Sequence, residues 1–190
     1  MLLLWLSRIW FALLMILKLK RTPAIYLVGF MGSGKSTIGR ALADELGWRF
    51  FDLDEEIERR EGLAIAQIFD TRGEQAFREI ESMVLHERVH QAQMGRPQVV
   101  ALGGGAFLPA ENFDLISNHG VTIWLDCAFE HICRRIGRQT HRPLARDPEK
   151  LEKLFEARRA AYSRADYRLE VFDDDTAAAV ARVLALPLFK

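Results

Sequence analysis

The sequence predicts an α/β fold with three layers, in which helices cover both faces of a five-stranded parallel sheet. Short apolar runs, rich in β-branched and aromatic residues, alternate along the chain with longer amphipathic segments. This alternation favours strands that are connected by helices and are therefore parallel. The length of 190 residues suits one such domain with a substantial hydrophobic core.

The pattern assigns each element in order along the chain. Strands are predicted at 24–28, 49–52, 97–102, 121–125 and 167–172. Helices are predicted where apolar residues recur at spacings of three and four, at 35–46, 53–60, 64–69, 74–93, 110–118, 128–138, 148–163 and 176–185. The segment 138–148 (RQTHRPLARDP) is polar, basic and proline-containing, and we predict that it forms a loop that acts as a lid.

The overall composition indicates which classes of binding partner and which cellular compartment to expect. The 26 basic and 26 acidic residues cancel, so no global field attracts nucleic acid or an anionic membrane. Cys127 and Cys133 are the only cysteines, and their spacing matches neither a disulfide framework nor a zinc site. A reducing compartment fits this usage, and we expect a cytoplasmic, monomeric protein that does not bind nucleic acid.

The N-terminus carries an apolar run at 2–17 that is followed by three basic residues, Lys18, Lys20 and Arg21. As a membrane anchor the run is short and is interrupted by Arg8, and as a cleaved signal it lacks a basic start and a cleavage site. Translation from Met15 would remove most of it. We therefore divide the chain into an extension, 1–22, and one domain, 23–190, with membrane contact expected only if the extension is an anchor.

Residues 29–36 read GFMGSGKS and match the phosphate-binding loop pattern G-x-x-x-x-G-K-[ST] between a predicted strand and a predicted helix. Gly29, Gly32 and Gly34 allow successive backbone N–H groups to point at phosphate oxygens, and the helix N-terminus adds a favourable dipole. Lys35 would reach the β and γ phosphates of a nucleotide, and Ser36 would bind Mg²⁺. By itself the motif predicts that a nucleotide phosphate is held at a helix N-terminus, with Mg²⁺ as the cofactor.

The second predicted strand leads into Phe51-Asp52-Leu53-Asp54, at the sheet edge where parallel strands deliver side chains to a ligand. The two-residue period of a strand places Asp52 and Asp54 on the same face. One carboxylate would hold Mg²⁺ through water, and the other would take the proton of a substrate hydroxyl. The alternative is that Asp54 only caps the helix that follows.

Three further segments carry candidate residues. Arg78 and Glu81 lie three residues apart on the helix in GEQAFREIE, either as a surface ion pair or as a grip for a substrate carboxylate that Glu81 orients. Gly103, Gly104 and Gly105 follow the third strand, either as a loose turn or as bare backbone against which a substrate lies. The remaining basic candidates are Arg142 in the predicted lid and Arg158 on the next predicted helix. The alternative is that each is only a solvated charge on the surface.

Together, GFMGSGKS, FDLD, GEQAFREIE, LGGG, RPL and the stretch 158–162 resemble the shikimate kinases in order and spacing across 24–172. The resemblance implies a nucleoside-monophosphate-kinase-like P-loop kinase fold with a lid. It also implies transfer of the γ-phosphoryl group of ATP to the 3-hydroxyl of shikimate, a step of chorismate and aromatic amino-acid biosynthesis.

The resemblance further implies the site residues by position. Arg142 would close over the phosphates, Arg135 would lie near the adenine, and Asp54, Lys35 and Arg142 would be the catalytic residues. Ser36 and Asp52 would serve Mg²⁺. The implied phosphate ligands are Gly32, Ser33, Gly34, Lys35, Ser36 and Thr37, and the implied shikimate ligands are Asp54, Arg78, Gly103, Gly104, Gly105 and Arg158. The family usually has proline where this chain has Ala160, which leaves the choice between Arg158 and Arg159 open.

Other functions remain open at this point. Another small-molecule kinase, such as gluconate kinase, would share the phosphate-binding loop, and so would a non-catalytic nucleotide-binding module. His86-Glu87-Arg88-Val89-His90 matches the zinc metalloprotease pattern H-E-x-x-H, which on a helix places two histidines on one face. The triple glycine and Arg78 favour a carboxylated ring as the phosphoryl acceptor.

Overall fold

The computed structural model describes residues 24–137, 148–172 and 174–189. The described chain contains one parallel sheet of five strands in the order β2-β3-β1-β4-β5. These strands are β1 (Ala24–Val28), β2 (Arg49–Asp52), β3 (Gln98–Ala101), β4 (Val121–Cys127) and β5 (Tyr167–Val171). The predicted α/β fold class and each of the five predicted strands are confirmed. The N-terminal extension, Arg142 and nearly all of the predicted lid lie outside the described residues.

Seven helices are found in the described part of the chain. They are α1 (Lys35–Leu46), α2 (Leu53–Glu61), α3 (Ile65–Gln93), α4 (Ala110–His119), α5 (Phe129–Gly137), α6 (Pro148–Tyr162) and α7 (Thr176–Leu184), and a 3₁₀ turn follows at Pro187–Phe189. The two helices predicted at 64–69 and 74–93 form one run, α3, which Gly73 interrupts at φ 80° and ψ 172°. Glycine reaches this conformation without the steric cost of a side chain.

The core lies on both faces of the central strands. All five residues of β1 and all four of β3 are buried, as expected of parallel strands covered by helices on both faces. α1 packs closely on this sheet because Gly39 has no side chain: a Cβ there would lie 2.5 Å from Cε2 of Phe50. No helix in the described ranges is both long enough and apolar enough to cross a membrane.

The strand order determines which segments meet at the ligand edge. β1 pairs with β3 on one side and with β4 on the other, so the chain changes direction across the sheet at β1. Ligands of such sheets bind at this switch point, beside the carboxyl ends of the strands. Segments that follow the strands are therefore arranged along one edge: Asp52 to Asp54, then the three glycines, then the phosphate-binding loop, and finally the segments after β4 and β5.

Candidate active site

A cleft of about 560 Å³ opens at this edge. Its described lining residues come from the segments after β1, β2, β3 and β5 and from α5. They are Met31, Gly32, Gly34, Lys35, Ser36, Thr37, Ile38, Asp52, Asp54, Leu102, Gly104, Arg135, Asp174, Asp175, Thr176 and Ala179. The predicted phosphate-binding loop and the predicted carboxylate pair therefore face one shared cavity.

The loop between β1 and α1 has the backbone that its sequence predicts. Gly32 and Gly34 have φ of 77° and 94°, values that side-chain-bearing residues rarely adopt. The ammonium of Lys35 donates to the carbonyl oxygens of Gly29 and Phe30 at 2.9 and 2.8 Å, which holds it over the loop. The side chain of Ser33 is fully buried, so a contact of Ser33 with phosphate would have to come from its backbone.

Asp52 and Asp54 both line the cleft, but for a different reason than the one the sequence suggested. β2 ends at Asp52 and α2 begins at Leu53, so the two carboxylates do not share a face of one strand. Asp52, and not Asp54, caps the helix: its Oδ1 accepts from the backbone N–H groups of Asp54 and Glu55 at 3.1 and 3.4 Å. The proposed use of Asp54 as the cap is therefore wrong, because the helix starts two residues earlier.

The hydroxyl of Ser36 donates to Oδ2 of Asp52 at 2.5 Å. A hydroxyl and a carboxylate at this distance, beside a phosphate-binding loop, are the hard oxygen donors that Mg²⁺ prefers. Asp52 thus fixes the start of α2 with one oxygen and faces Ser36 with the other. The donor set at this position fits the predicted magnesium site.

The three glycines after β3 are packed against four charged side chains: Asp54 and Glu81 at Gly103, Arg158 at Gly104 and Arg78 at Gly105. A Cβ on Gly103 would lie 2.5 Å from Oδ1 of Asp54, and a Cβ on Gly105 would lie 2.6 Å from Nη1 of Arg78. A Cβ on Gly104 would lie 3.0 Å from Nη1 of Arg158. Together the glycines leave the space that these charged groups occupy, so the segment is a packed platform and not the loose turn that was the alternative.

Arg78 and Glu81 form an ion pair that is largely removed from solvent. Nη1 of Arg78 donates to Oε2 of Glu81 at 2.7 Å, and the side chains are 27% and 1% exposed. Burial raises the pKa of Glu81, and the positive charges of Arg78 and Arg158 oppose this rise. The surface-pair interpretation is therefore wrong, because α3 turns this face towards the glycines. A buried carboxylate that loses its charged partner is strongly destabilising, so the two side chains depend on each other.

The structure separates Arg158 from Arg159. Arg158 faces the glycine segment and lies over the ring of Phe30, with its guanidinium carbon 5.6 Å from the ring centre. Arg159 instead pairs with Asp126, and its Nη1 lies 3.2 Å from Oδ1 of that residue. On the next turn the hydroxyl of Tyr162 donates to the carbonyl oxygen of Gly104 at 2.5 Å, and burial raises the pKa of Tyr162 to about 12. Of the two arginines, Arg158 is the one near the cleft.

The segment after β5 contributes residues that sequence reasoning missed. Asp174, Asp175, Thr176 and Ala179 line the cleft, and Asp174 binds Arg135. A signal was present, because a run of aspartates follows the last predicted strand and all carboxyl ends of a parallel sheet meet at one edge. That β5 lies beside β4, and therefore near the helix of Arg135, could not be predicted from the sequence.

The H-E-x-x-H segment lies on α3 and has no features of a zinc site. Glu87 is bound by Arg60, whose Nη1 donates to it at 2.8 Å, and Nδ1 of His86 lies 2.8 Å from the carbonyl oxygen of Ser82. Across 24–137, 148–172 and 174–189, no group of three or more His, Cys, Asp or Glu side chains is arranged to hold a metal ion. This argues against the metalloprotease alternative.

Comparison with known proteins agrees with this geometry. The family model described as shikimate kinase matches residues 31–186. A shikimate kinase of Persephonella marina is 42% identical over 146 residues, which are 76% of this chain and 87% of that protein. One of Caulobacter vibrioides is 42% identical over 167 residues, covering 86% of this chain and 82% of that protein. The solved structure of the Acinetobacter baumannii shikimate kinase in complex with shikimate has a TM-score of 0.81 at 37% identity, over 87% of this chain and 93% of that chain.

Proposed function

This chain belongs to the shikimate kinase family, and on that premise we propose that it transfers the γ-phosphoryl group of ATP to the 3-hydroxyl of shikimate. The products would be shikimate 3-phosphate and ADP. The observation that carries the proposal is the convergence of Asp54, Arg78 and Arg158 on the glycines 103–105. Of these residues, Asp54 and Gly104 line the same cleft as the phosphate-binding loop. A carboxylate and two guanidinium groups suit an acceptor that has both a hydroxyl and a carboxylate.

The nucleotide would bind along the loop between β1 and α1. We assign its phosphates to the backbone of Gly32, Ser33 and Gly34, and to Lys35, Ser36 and Thr37 at the start of α1. The N-terminus of a helix favours an anion through its unpaired N–H groups and its dipole. Lys35 rests on the carbonyls of its own loop, and rotation about its flexible stem would bring its charge to the β and γ phosphates.

Ser36 and Asp52 would hold Mg²⁺, since their oxygens already face each other at 2.5 Å. Bound there, the ion would neutralise charge on the β and γ phosphates. Removal of the divalent ion with a chelator should then abolish turnover.

The acceptor would lie between the glycine platform and the phosphate-binding loop. Arg78, oriented by Glu81, would bind the substrate carboxylate in a two-pronged contact, and Arg158 would bind from the side of α6. Asp54 would accept a hydrogen bond from the 3-hydroxyl. As that oxygen forms its bond to the γ-phosphorus, the bond to the β-phosphate oxygen breaks, ADP leaves and the hydroxyl proton moves to Asp54.

Phosphoryl transfer of this kind depends mainly on positioning and charge, because the transition state is loose. The glycines would serve positioning by letting Asp54, Arg158 and Arg78 pack directly against the backbone. Arg142, which lies outside the described residues, would close over the phosphates and exclude the water that would otherwise hydrolyse ATP. We further propose a monomer that acts in the cytoplasm, where ATP is available and cysteines stay reduced.

The test is an ADP-release assay on the purified full chain with shikimate, gluconate and a shikimate analogue that lacks the 3-hydroxyl. We expect ADP release that depends on shikimate and on Mg²⁺, with little release for the other two compounds. Mass spectrometry should find one added phosphate on shikimate. Release that is equal without an acceptor would indicate a plain ATPase, and release with gluconate alone would indicate the other kinase; either result would refute the proposal.

A further inference from the structure

The guanidinium of Arg135 is held by contacts to all three of its nitrogens. Its Nε donates to Oδ1 of Asp174 at 2.8 Å, and its Nη2 lies 2.7 Å from the same oxygen. Its Nη1 donates to the carbonyl oxygen of Gly32 at 2.9 Å and to Sγ of Cys127 at 3.7 Å. A guanidinium has five in-plane N–H donors, and these four contacts engage most of them.

A guanidinium held in this way has its flat faces, and not its N–H groups, available to a ligand. Arg135 is 20% exposed and lines the cleft, so part of its surface is open to a bound molecule. Flat guanidinium faces stack on aromatic rings, and the base of a nucleotide is such a ring. The same N–H groups are poorly placed to bind phosphate, because Gly32 and Asp174 already occupy them.

Asp174 and the phosphate-binding loop contact the guanidinium of Arg135 from two different segments of the chain. It follows β5 at the end of the sheet order, whereas Gly32 follows β1 and Arg135 lies on the helix after β4. The pair from Arg135 to Asp174 therefore joins two segments that line the cleft on the side away from Asp54. Loss of Asp174 would remove the carboxylate that contacts both Nε and Nη2 of this guanidinium.

We propose that Asp174 is a positioning residue for the nucleotide base, which acts by holding the guanidinium face of Arg135 in its stacking orientation. This inference rests on the proposed nucleotide site and extends it to a residue outside the phosphate-binding loop. Asp174 is 72% exposed, so the pair contributes little to stability, as is usual for exposed ion pairs. Its effect should appear in nucleotide affinity and not in folding.

The experiment compares a nucleotide with a ligand that has no base. Calorimetry would measure the binding of ADP and of inorganic pyrophosphate, both with Mg²⁺, to the full chain and to Asp174→Ala. We expect ADP affinity to fall about two- to fivefold, the range of a weak exposed contact, and pyrophosphate affinity to stay the same. In kinetics, KM for ATP should rise while KM for shikimate and kcat remain unchanged, and Asp174→Glu should restore part of the loss.

The variant Glu87→Ala is a matched control, because it also removes the exposed carboxylate of an ion pair with an arginine, here between Glu87 on α3 and Arg60 on α2. It should leave both affinities unchanged. A double-mutant cycle with Arg135→Ala tests whether Asp174 acts through Arg135. In the Arg135→Ala background, Asp174→Ala should cause no further change in ADP affinity.

Each other outcome would overturn the inference. An equal loss for ADP and pyrophosphate would mean that Asp174 acts through the phosphate-binding loop, and unchanged or tighter ADP binding would mean that it does not hold a stacking surface. Failure of the wild-type chain to bind ADP would instead refute the proposed function, so the two failures are distinguishable.

Discussion

Removal of Arg78 should destabilise the protein through Glu81, the carboxylate that it leaves behind. Glu81 is 1% exposed, and Nη1 of Arg78 lies 2.7 Å from its Oε2. Loss of one partner of a buried pair costs about 3–5 kcal/mol; since Arg78 itself is 27% exposed and water can enter, we expect about 2–4 kcal/mol for Arg78→Ala. For a domain of this size, that corresponds to a fall in Tm of about 4–16 °C.

The loss should depend on pH with a definite sign. Burial raises the pKa of Glu81 above its ordinary value of 4.5, and Arg78 opposes the rise. The folded state therefore holds this proton more tightly than the unfolded chain, so stability falls as the pH rises from about 4.5 through the folded pKa. Without Arg78 the folded pKa rises further and the fall is larger. The Tm deficit of Arg78→Ala should be smaller at pH 5 than at pH 8.

Thermal unfolding followed by circular dichroism at both pH values is a suitable assay. The double variant Arg78→Ala with Glu81→Leu removes both charges and should recover most of the Tm, while its KM for shikimate stays raised. Arg40→Ala removes an arginine from the exposed pair with Glu55, whose side chains are 55% and 60% exposed, and should change stability by less than about 1 kcal/mol. A deficit that is the same at both pH values, or no recovery in the double variant, would refute this reasoning.

Three further variants test the site. Lys35→Ala should lower kcat by about 10²–10³-fold or more, because the charge that faces the developing phosphate charge is lost; steady-state ADP release measures this, and near-normal turnover would contradict the assignment. Asp54→Asn should lower kcat by about 10²–10⁴-fold with only a modest rise in KM for shikimate, and a mainly KM effect would instead make Asp54 a binding residue. Gly105→Ala would place a Cβ 2.6 Å from Nη1 of Arg78, so the flexible guanidinium must move. Its KM for shikimate should rise about 10–100-fold, as for loss of a charged hydrogen bond. Because the same Nη1 pairs with the buried Glu81, Tm should also fall, but by less than in Arg78→Ala.

Local sequence determined the elements and the nucleotide end of the site. Strand and helix periodicity predicted all five strands, and the glycine pattern predicted a loop whose Gly32 and Gly34 have positive φ. These features depend on residues that are near one another in the chain: the loop and the helix that follows it form one continuous segment from Gly29 to Leu46. A motif of this kind carries its own geometry, because backbone conformation is set by neighbouring residues.

Tertiary structure decided which residues surround the phosphoryl acceptor and which surround the nucleotide base. The sequence named Arg78 and Glu81 as a pair, but only the packing of α3 against the glycines made Glu81 a buried carboxylate. Likewise, the choice of Arg158 over Arg159 follows from the direction in which α6 crosses the edge of the sheet. Asp174 and Arg135 are 39 residues apart in the chain. They meet because β5 pairs with β4, and the order in which parallel strands pair is set by long-range packing, which no local pattern encodes.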